Sequence, residues 1–186
     1  MECSAKSDEW LMSDVVDGCS ESLEPLVRRY ANPLLTFIRR MVNHPQQSEE
    51  LFQDVFLAVW KHRRQYDRGR RFKPWLYGIA INRVRAYLRS RSWTWTETAD
   101  EAMQDWASSP DPSPIQMAIA TEVTSIVEKA VAALPVTQRT VVVLHLWGGL
   151  TYGEIAEALG RSAGTVRSNM HHALAALRSC LEPRLR

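Results

Sequence analysis

Two short apolar patterns on either side of Gly160 constrain the end of this chain more tightly than any other segment. Thr151 and Glu154 stand three residues apart, the spacing of a capping box in which hydroxyl and carboxylate satisfy each other's backbone N–H groups. The pattern predicts a short helix through Ile155, Ala156 and Leu159 that stops at Gly160. Ser162 can then cap a second helix, whose apolar residues Val166, Met170, Leu174, Leu177 and Leu181 recur at spacings of four, four, three and four. The other face carries Arg161, Thr165, Arg167, Ser168, His171, His172 and Arg178, side chains that suit phosphates and base edges. A short helix, a glycine turn and a helix with one polar face make the architecture whose second helix enters a DNA major groove. DNA binding is therefore the expectation for this end. The plain alternative is an amphipathic helix pair that binds nothing.

At 186 residues the chain is long enough for one large or two small domains, and its 45% hydrophobic content supports real cores. No apolar run approaches the roughly 20 residues that span a bilayer, and the first residues carry acid rather than a basic-then-apolar signal. A cytoplasmic protein without membrane insertion is expected. Cys3, Cys19 and Cys180 lie far apart and form no CxxC pair, which suits a reducing compartment and suggests neither a disulfide framework nor a zinc site.

Net charge is only +2, but its distribution is uneven. Residues 1–92 hold 16 Lys/Arg against 11 Asp/Glu, residues 93–122 hold six acids and no base, and residues 123–186 hold seven bases against four acids. Two basic segments flanking an acidic connector point to polyanion contact at both ends.

Periodicity predicts an opening helix from Glu9 to about Gly18 and a second from about Leu23 to Val42, with Val27, Tyr30, Leu34, Ile38 and Met41 on one face. Asn43-His44-Pro45 breaks it. Ser48 is expected to cap the next helix, with Glu49 and Glu50 in its first turn and a core face of Leu51, Phe52, Val55, Phe56 and Val59. Gln65 to Lys73 reads as a basic loop, and a helix with Pro74 in its first turn follows to about Arg91. Trp75, Leu76, Ile79, Ala80, Val84 and Leu88 are its expected core face. Ser92 to about Ser113 is acidic and rich in Pro and Ser, a composition that resists regular structure. Helices resume near Ile115. The expectation is an all-α chain of two small helical domains, residues 1–91 and 115–186, joined by a flexible acidic linker at 92–114.

Residues 61–91 contain eleven Lys/Arg and one acid, Asp67, interleaved with Tyr66, Phe72, Trp75, Tyr77 and Tyr87. Positive charge holds a phosphate backbone, while aromatic faces stack on bases that have left the duplex. The combination suits melting DNA. Its alternative is a solvated basic face over an aromatic core, with Trp75 and Tyr77 evenly balanced between the two.

Two successions carry a family likeness. Glu49-Glu-Leu-Phe-Gln-Asp-Val-Phe-Leu-Ala-Val-Trp60, followed by Phe72-Lys-Pro-Trp-Leu-Tyr-Gly-Ile-Ala-Ile-Asn82, resembles the second conserved region of bacterial sigma factors. Leu134-Pro-Val-Thr-Gln-Arg139, Leu150-Thr-Tyr-Gly-Glu-Ile-Ala-Glu-Ala-Leu-Gly160 and Gly164-Thr-Val-Arg-Ser168 resemble the fourth region. Both are most similar to the extracytoplasmic-function group of the sigma-70 family, over about residues 9–91 and 115–181.

The resemblance implies a division of labour. Gln53, Asp54, Phe56 and Trp60 would dock on core RNA polymerase. Tyr66, Arg68, Arg70, Arg71, Phe72 and Lys73, with Asn82 and Arg85, would read and trap an extruded base of the −10 element, a step that costs a few kcal/mol of stacking. Arg161, Thr165, Arg167, Ser168, His171 and His172 would meet the −35 element. The linker carboxylates would thread toward the polymerase active site and RNA exit. An anti-sigma factor is the implied regulator. The chain departs from the family at Asn169 and His172, where the family often carries arginine, so a −35 preference does not transfer directly.

Catalysis has no visible apparatus: the chain lacks a phosphate-cradling glycine loop, a nucleophile elbow and an acid pair in an apolar setting. His171 and His172 are adjacent and point about 100° apart on a helix, a poor start for a metal site. No cofactor and no metal are expected. The rival readings are an ordinary helix-turn-helix regulator that ignores polymerase, and a helical adaptor whose basic faces hold an acidic protein.

Overall fold

A computed structural model describes residues 6–94, 124 and 126–182, and every regular element among them is a helix. The first domain comprises α1 (Asp8–Val16), α2 (Leu23–Val42), α3 (Pro45–His62), a 3-10 turn (Arg63–Gln65) and α4 (Phe72–Thr94). The second comprises α5, helical over 126–132, then α6 (Val136–Leu146), α7 (Tyr152–Leu159) and α8 (Ala163–Leu181). Cys3 and all but the first three linker residues lie outside the described residues.

Local chemistry explains most of the boundaries. The Ser7 hydroxyl opens α1 by accepting from Trp10 N at 3.1 Å. α2 closes on Asn43, which takes a left-handed φ of 54° and sends its N–H to the Arg39 carbonyl at 2.8 Å. Pro33 lies inside α2, where a missing N–H normally interrupts a helix. Burial of Leu26, Tyr30, Leu34, Phe37, Ile38 and Met41 along one face carries the helix through it.

The start of α3 corrects the expectation. His44, not Ser48, is the cap: its Nδ1 accepts from Gln47 N at 3.3 Å, and Pro45 follows at the first helical position. Proline's fixed φ is already helical there, so the helix starts four residues early. Ser48 is buried inside it and donates its hydroxyl back to the His44 carbonyl at 2.7 Å. Glu49 and Glu50 consequently fall beyond the first turn, which carries no acid. α4 likewise runs past Arg91 to Thr94.

In the second domain the capping box forms as read. Glu154 N donates to Thr151 Oγ1 at 3.3 Å, and Thr151 N donates to Glu154 Oε2 at 2.9 Å. Gly160 ends α7 at φ +60°, a left-handed value that L side chains rarely adopt. Ser162 then caps α8 by accepting from Thr165 N at 3.1 Å. The buried face of α8 is Val166, Met170, Ala173 and Leu177. Leu174, expected in the stripe, is 52% exposed because this tighter arc turns it toward solvent.

Both domains share one apolar core. It runs from Leu11, Phe37 and Leu76 in the first to Val142, Ile155 and Met170 in the second without a break. α4 packs along α7, and α2 along α6.

Candidate nucleic-acid interface

The polar face of α8 is presented outward. Arg161, Thr165, Arg167, Ser168, His171 and His172 are all exposed, and all but Arg161, which precedes the Ser162 cap, stand on a helix anchored by its other face. Thr165 Oγ1 lies 2.9 Å from Ser162 Oγ, and Asn169 Nδ2 donates to the Thr165 carbonyl at 3.1 Å. Asn169 is thus turned back on its own helix. The His171 and His172 rings meet edge to face at 5.8 Å. Among the described residues no ion pair engages Arg161 or Arg167. A helix of this kind can offer cations and hydroxyls to a groove without giving up internal bonds.

The basic loop is built differently. Tyr66 and Phe72, expected to stack on bases, lie in the core at 4% and 0% exposure. Their rings form an edge-to-face cluster with Tyr30 and Trp75: Tyr30–Phe72 at 5.5 Å, Tyr66–Phe72 at 6.3 Å and Tyr66–Trp75 at 5.1 Å. Aromatic pairs at these separations stabilise beyond their buried area. The Tyr66 hydroxyl donates to the Arg70 carbonyl at 2.5 Å and so fixes the loop, while burial and the carboxylates of Glu9 and Asp67 push its pKa up to about 12. In this arrangement the two rings are scaffold, and only half-buried Trp75 borders solvent.

Every cation of the loop has a partner. Arg68 pairs with Asp17, and Arg70 Nε lies 3.5 Å from Asp67 Oδ2. Arg71 Nη1 donates to Glu154 Oε1 at 3.2 Å, and Lys73 Nζ donates to the Gly149 carbonyl at 2.6 Å. Burial alone would raise the Glu154 carboxyl. Hydrogen bonds from Thr151 N, Thr151 Oγ1 and Arg71, with the charge of Lys73, hold it instead below its ordinary value. Asn82 is exposed on α4, and Arg85 lines a shallow groove with Leu88, Arg89 and Val136. At about 1.5 Å per residue, Arg85 stands roughly 18 Å along α4 from Lys73, so the set is strung along a helix rather than gathered in one pocket.

Along α3, Gln53, Asp54, Leu57 and Lys61 are exposed beyond the first turns, where Pro45, Gln46, Glu49 and Glu50 are exposed too. Phe56, expected to dock, is 7% exposed and belongs to the core, packed edge to face on Phe52 at 5.2 Å. Trp60 is half-buried beneath the Arg63 guanidinium, 4.0 Å from its ring centroid. Leu57, 66% exposed among these polar groups, is the residue that sequence reasoning missed. A leucine on the polar side of an amphipathic helix is the signal that would have found it.

Tyr77 is fully buried against Phe37 at 5.7 Å, and its hydroxyl has no hydrogen-bond partner. Burial pushes its pKa far above the ordinary phenol value. Among the described residues no three His, Cys, Asp or Glu side chains gather as a metal site, and no helix is long and apolar enough to cross a membrane.

Comparison with known proteins extends this geometry. Residues 26–94 match the family model for sigma-70 region 2, and residues 124–177 match that for sigma-70 region 4. The RNA polymerase sigma-H factor of Pseudomonas aeruginosa is 29% identical, over 97% of both chains. CarQ, an RNA polymerase sigma factor of Myxococcus xanthus, is 31% identical over 89% of this chain and 92% of its own. The extracytoplasmic-function sigma factor SigD of Mycobacterium tuberculosis is 31% identical over 85% of this chain and 73% of its own. In fold, the chain is similar to CnrH in complex with the cytosolic domain of CnrY, at TM-score 0.71 and 22% identity, over 96% of this chain and 99% of that one. It is similar also to RpoE of Bartonella quintana in complex with the anti-sigma factor NepR, at TM-score 0.71 and 20% identity, over 87% and 98%.

Proposed function

We infer the task of the molecule from its lineage, for the chain belongs to the extracytoplasmic-function group of the sigma-70 family. It is a sigma factor that binds core RNA polymerase, brings it to −35/−10 promoters and assists DNA melting. The observation that carries this reading is the pairing of regions 2 and 4 on one chain, with the polar face of α8 exposed on the second.

The roles divide by domain. Gln53, Asp54 and Leu57 on the open face of α3 dock on polymerase, Leu57 supplying apolar area and the others polar register. Arg161, Arg167, Ser168, His171 and His172 meet the −35 element in the major groove. Arg68, Arg70, Arg71 and Lys73 hold the −10 phosphates, with Asn82 and Arg85 further along the strand. Tyr66 and Phe72 keep the loop in shape. The 92–114 linker joins the two units and runs toward the polymerase active site. Bond formation belongs to the polymerase, and the factor works in the cytoplasm without a cofactor. An anti-sigma factor, the kind of partner NepR is to RpoE, controls its release.

The direct test adds purified protein to sigma-free bacterial core polymerase on DNA from its own upstream region. Specific, protein-dependent initiation is expected. Duplex binding without any polymerase binding would make the molecule an ordinary regulator. Asp54→Arg sharpens the docking assignment: core affinity should fall about tenfold or more, because like charges replace a complementary contact at an interface. Unchanged affinity would remove α3 from the polymerase surface.

A further inference from the structure

α4 starts without a cap of its own. Phe72 is its first residue and carries one of the backbone N–H groups that a helix start leaves unpaired. Arg71, just before it, has a side chain that only donates. The first turn holds no acid. The missing acceptor arrives from α1, across 63 residues: Phe72 N donates to Glu9 Oε1 at 3.3 Å. A carboxylate at that end of a helix also complements its dipole.

Neighbours of Glu9 support the same corner. Tyr30, whose ring packs on Phe72, donates its hydroxyl to Asp8 Oδ2 at 2.5 Å, and Arg29 Nη1 donates to Asp8 Oδ1 at 2.6 Å. At the far end of α1 its C-cap residue, Asp17, pairs with Arg68. At about 1.5 Å per residue, Glu9 and Asp17 stand roughly 12 Å apart, so one short helix holds the 66–73 loop at two points. α1 precedes residues 26–94, the stretch that matches sigma-70 region 2.

We propose that Glu9 is a positioning residue for −10 recognition, its carboxylate capping α4 from α1 and so fixing the corner from which Arg68, Arg70, Arg71 and Lys73 are presented to DNA. The inference rests on the sigma-factor reading above. Glu9 touches neither base nor phosphate and acts through the Phe72 backbone. Arg71 and Lys73 flank that residue, so fraying of an uncapped first turn displaces both. Holding phosphate needs charge and tolerates such play, whereas base selection needs register. Discrimination at the −10 element is what Glu9 secures.

The test compares Glu9→Asp with Glu9→Gln in the full chain with core polymerase. Aspartate keeps the charge on a shorter arm, while glutamine loses the charge and keeps an acceptor oxygen at the same reach. The readout is initiation on the protein's own promoter relative to the same DNA with one −10 base changed. Glu9→Asp should lower that ratio about threefold or more, and Glu9→Gln should stay within about twofold of wild type. Affinity for core polymerase and for −35 duplex DNA should not change in either. The reverse order would make charge the operative property and overturn the capping role; an equal ratio in both variants would overturn it too. Hydrogen exchange of the Phe72 amide checks the cause directly: it should run about threefold or more faster in Glu9→Asp than in Glu9→Gln. Equal exchange rates would sink the proposal. Wild-type protein run alongside separates the two readings. Its failure to initiate would remove the sigma assignment itself, whereas wild-type initiation with the wrong variant order removes only the role of Glu9.

Discussion

The loop at 66–73 and the face of α8 are both arginine-bearing surfaces assigned to the same promoter, yet they are built in opposite ways. On α8 the arginines project from a helix whose other side is anchored by Val166, Met170, Ala173 and Leu177, and they make no ion pair among the described residues. On the loop each cation already has a protein partner, and Tyr66 and Phe72 are packed inside. The first surface is presented; the second is held. A residue type that suits a ligand therefore does not tell which of these states it occupies. The distinction lies in whether the side chain's needs are met within the fold.

The comparison breaks most easily at Phe72. Its replacement by alanine leaves a cavity under Tyr30, Tyr66 and Trp75 and should cost about 3–5 kcal/mol, seen as a lower midpoint in urea. A stable variant that fails only in promoter opening would return Phe72 to the DNA surface. Arg167→Ala is the mirror case. It should leave thermal stability within about 0.5 kcal/mol while weakening −35-dependent initiation by about 1–3 kcal/mol in promoter affinity. Loss of polymerase binding as well would contradict the separation of roles.

Smaller effects test the held surface. Glu154 has a folded-state pKa below its unfolded value, so its contribution is complete above the ordinary carboxylate range and is lost as pH falls through the lower folded value. Thermal melts of wild type and Glu154→Gln from neutral pH down to pH 3 should converge on the acid side. A gap that stays constant would mean the carboxylate carries no such stabilisation. Smallest of all is Tyr77→Phe. The hydroxyl is buried without a partner, a state that costs about 1–3 kcal/mol. Its removal should leave stability equal or slightly higher, and a clear loss would reveal a hydrogen bond to that hydroxyl.

Much of this was legible in the linear pattern. The α7–Gly160–α8 unit follows from local rules alone, because a capping box, a left-handed glycine and a serine cap each act within four residues. α2 has the predicted bounds for the same reason, its break being written as Asn43-His44-Pro45. The misreadings share a cause. Ser48 was a fitting cap, but Pro45 competed for the helix start and prevailed. Leu174 suited an apolar stripe, yet Ala173 packs closer to the axis of contact. Phe56 is equally suited to a core or a docking face, and Tyr66 and Phe72 to a core or a base stack, and only neighbours from other helices decide between them.

The sequence by itself determined the helical class, the helix–turn–helix unit of the second domain and the family, since these depend on spacings that repeat or cap within a few residues. The tertiary structure decided what is exposed. Arg71 finds Glu154 across 83 residues, Lys73 finds Gly149 across 76, and Gly78 admits Ala158. Such contacts join residues with no local relation, and they exist only once a shared apolar core has drawn the two domains together.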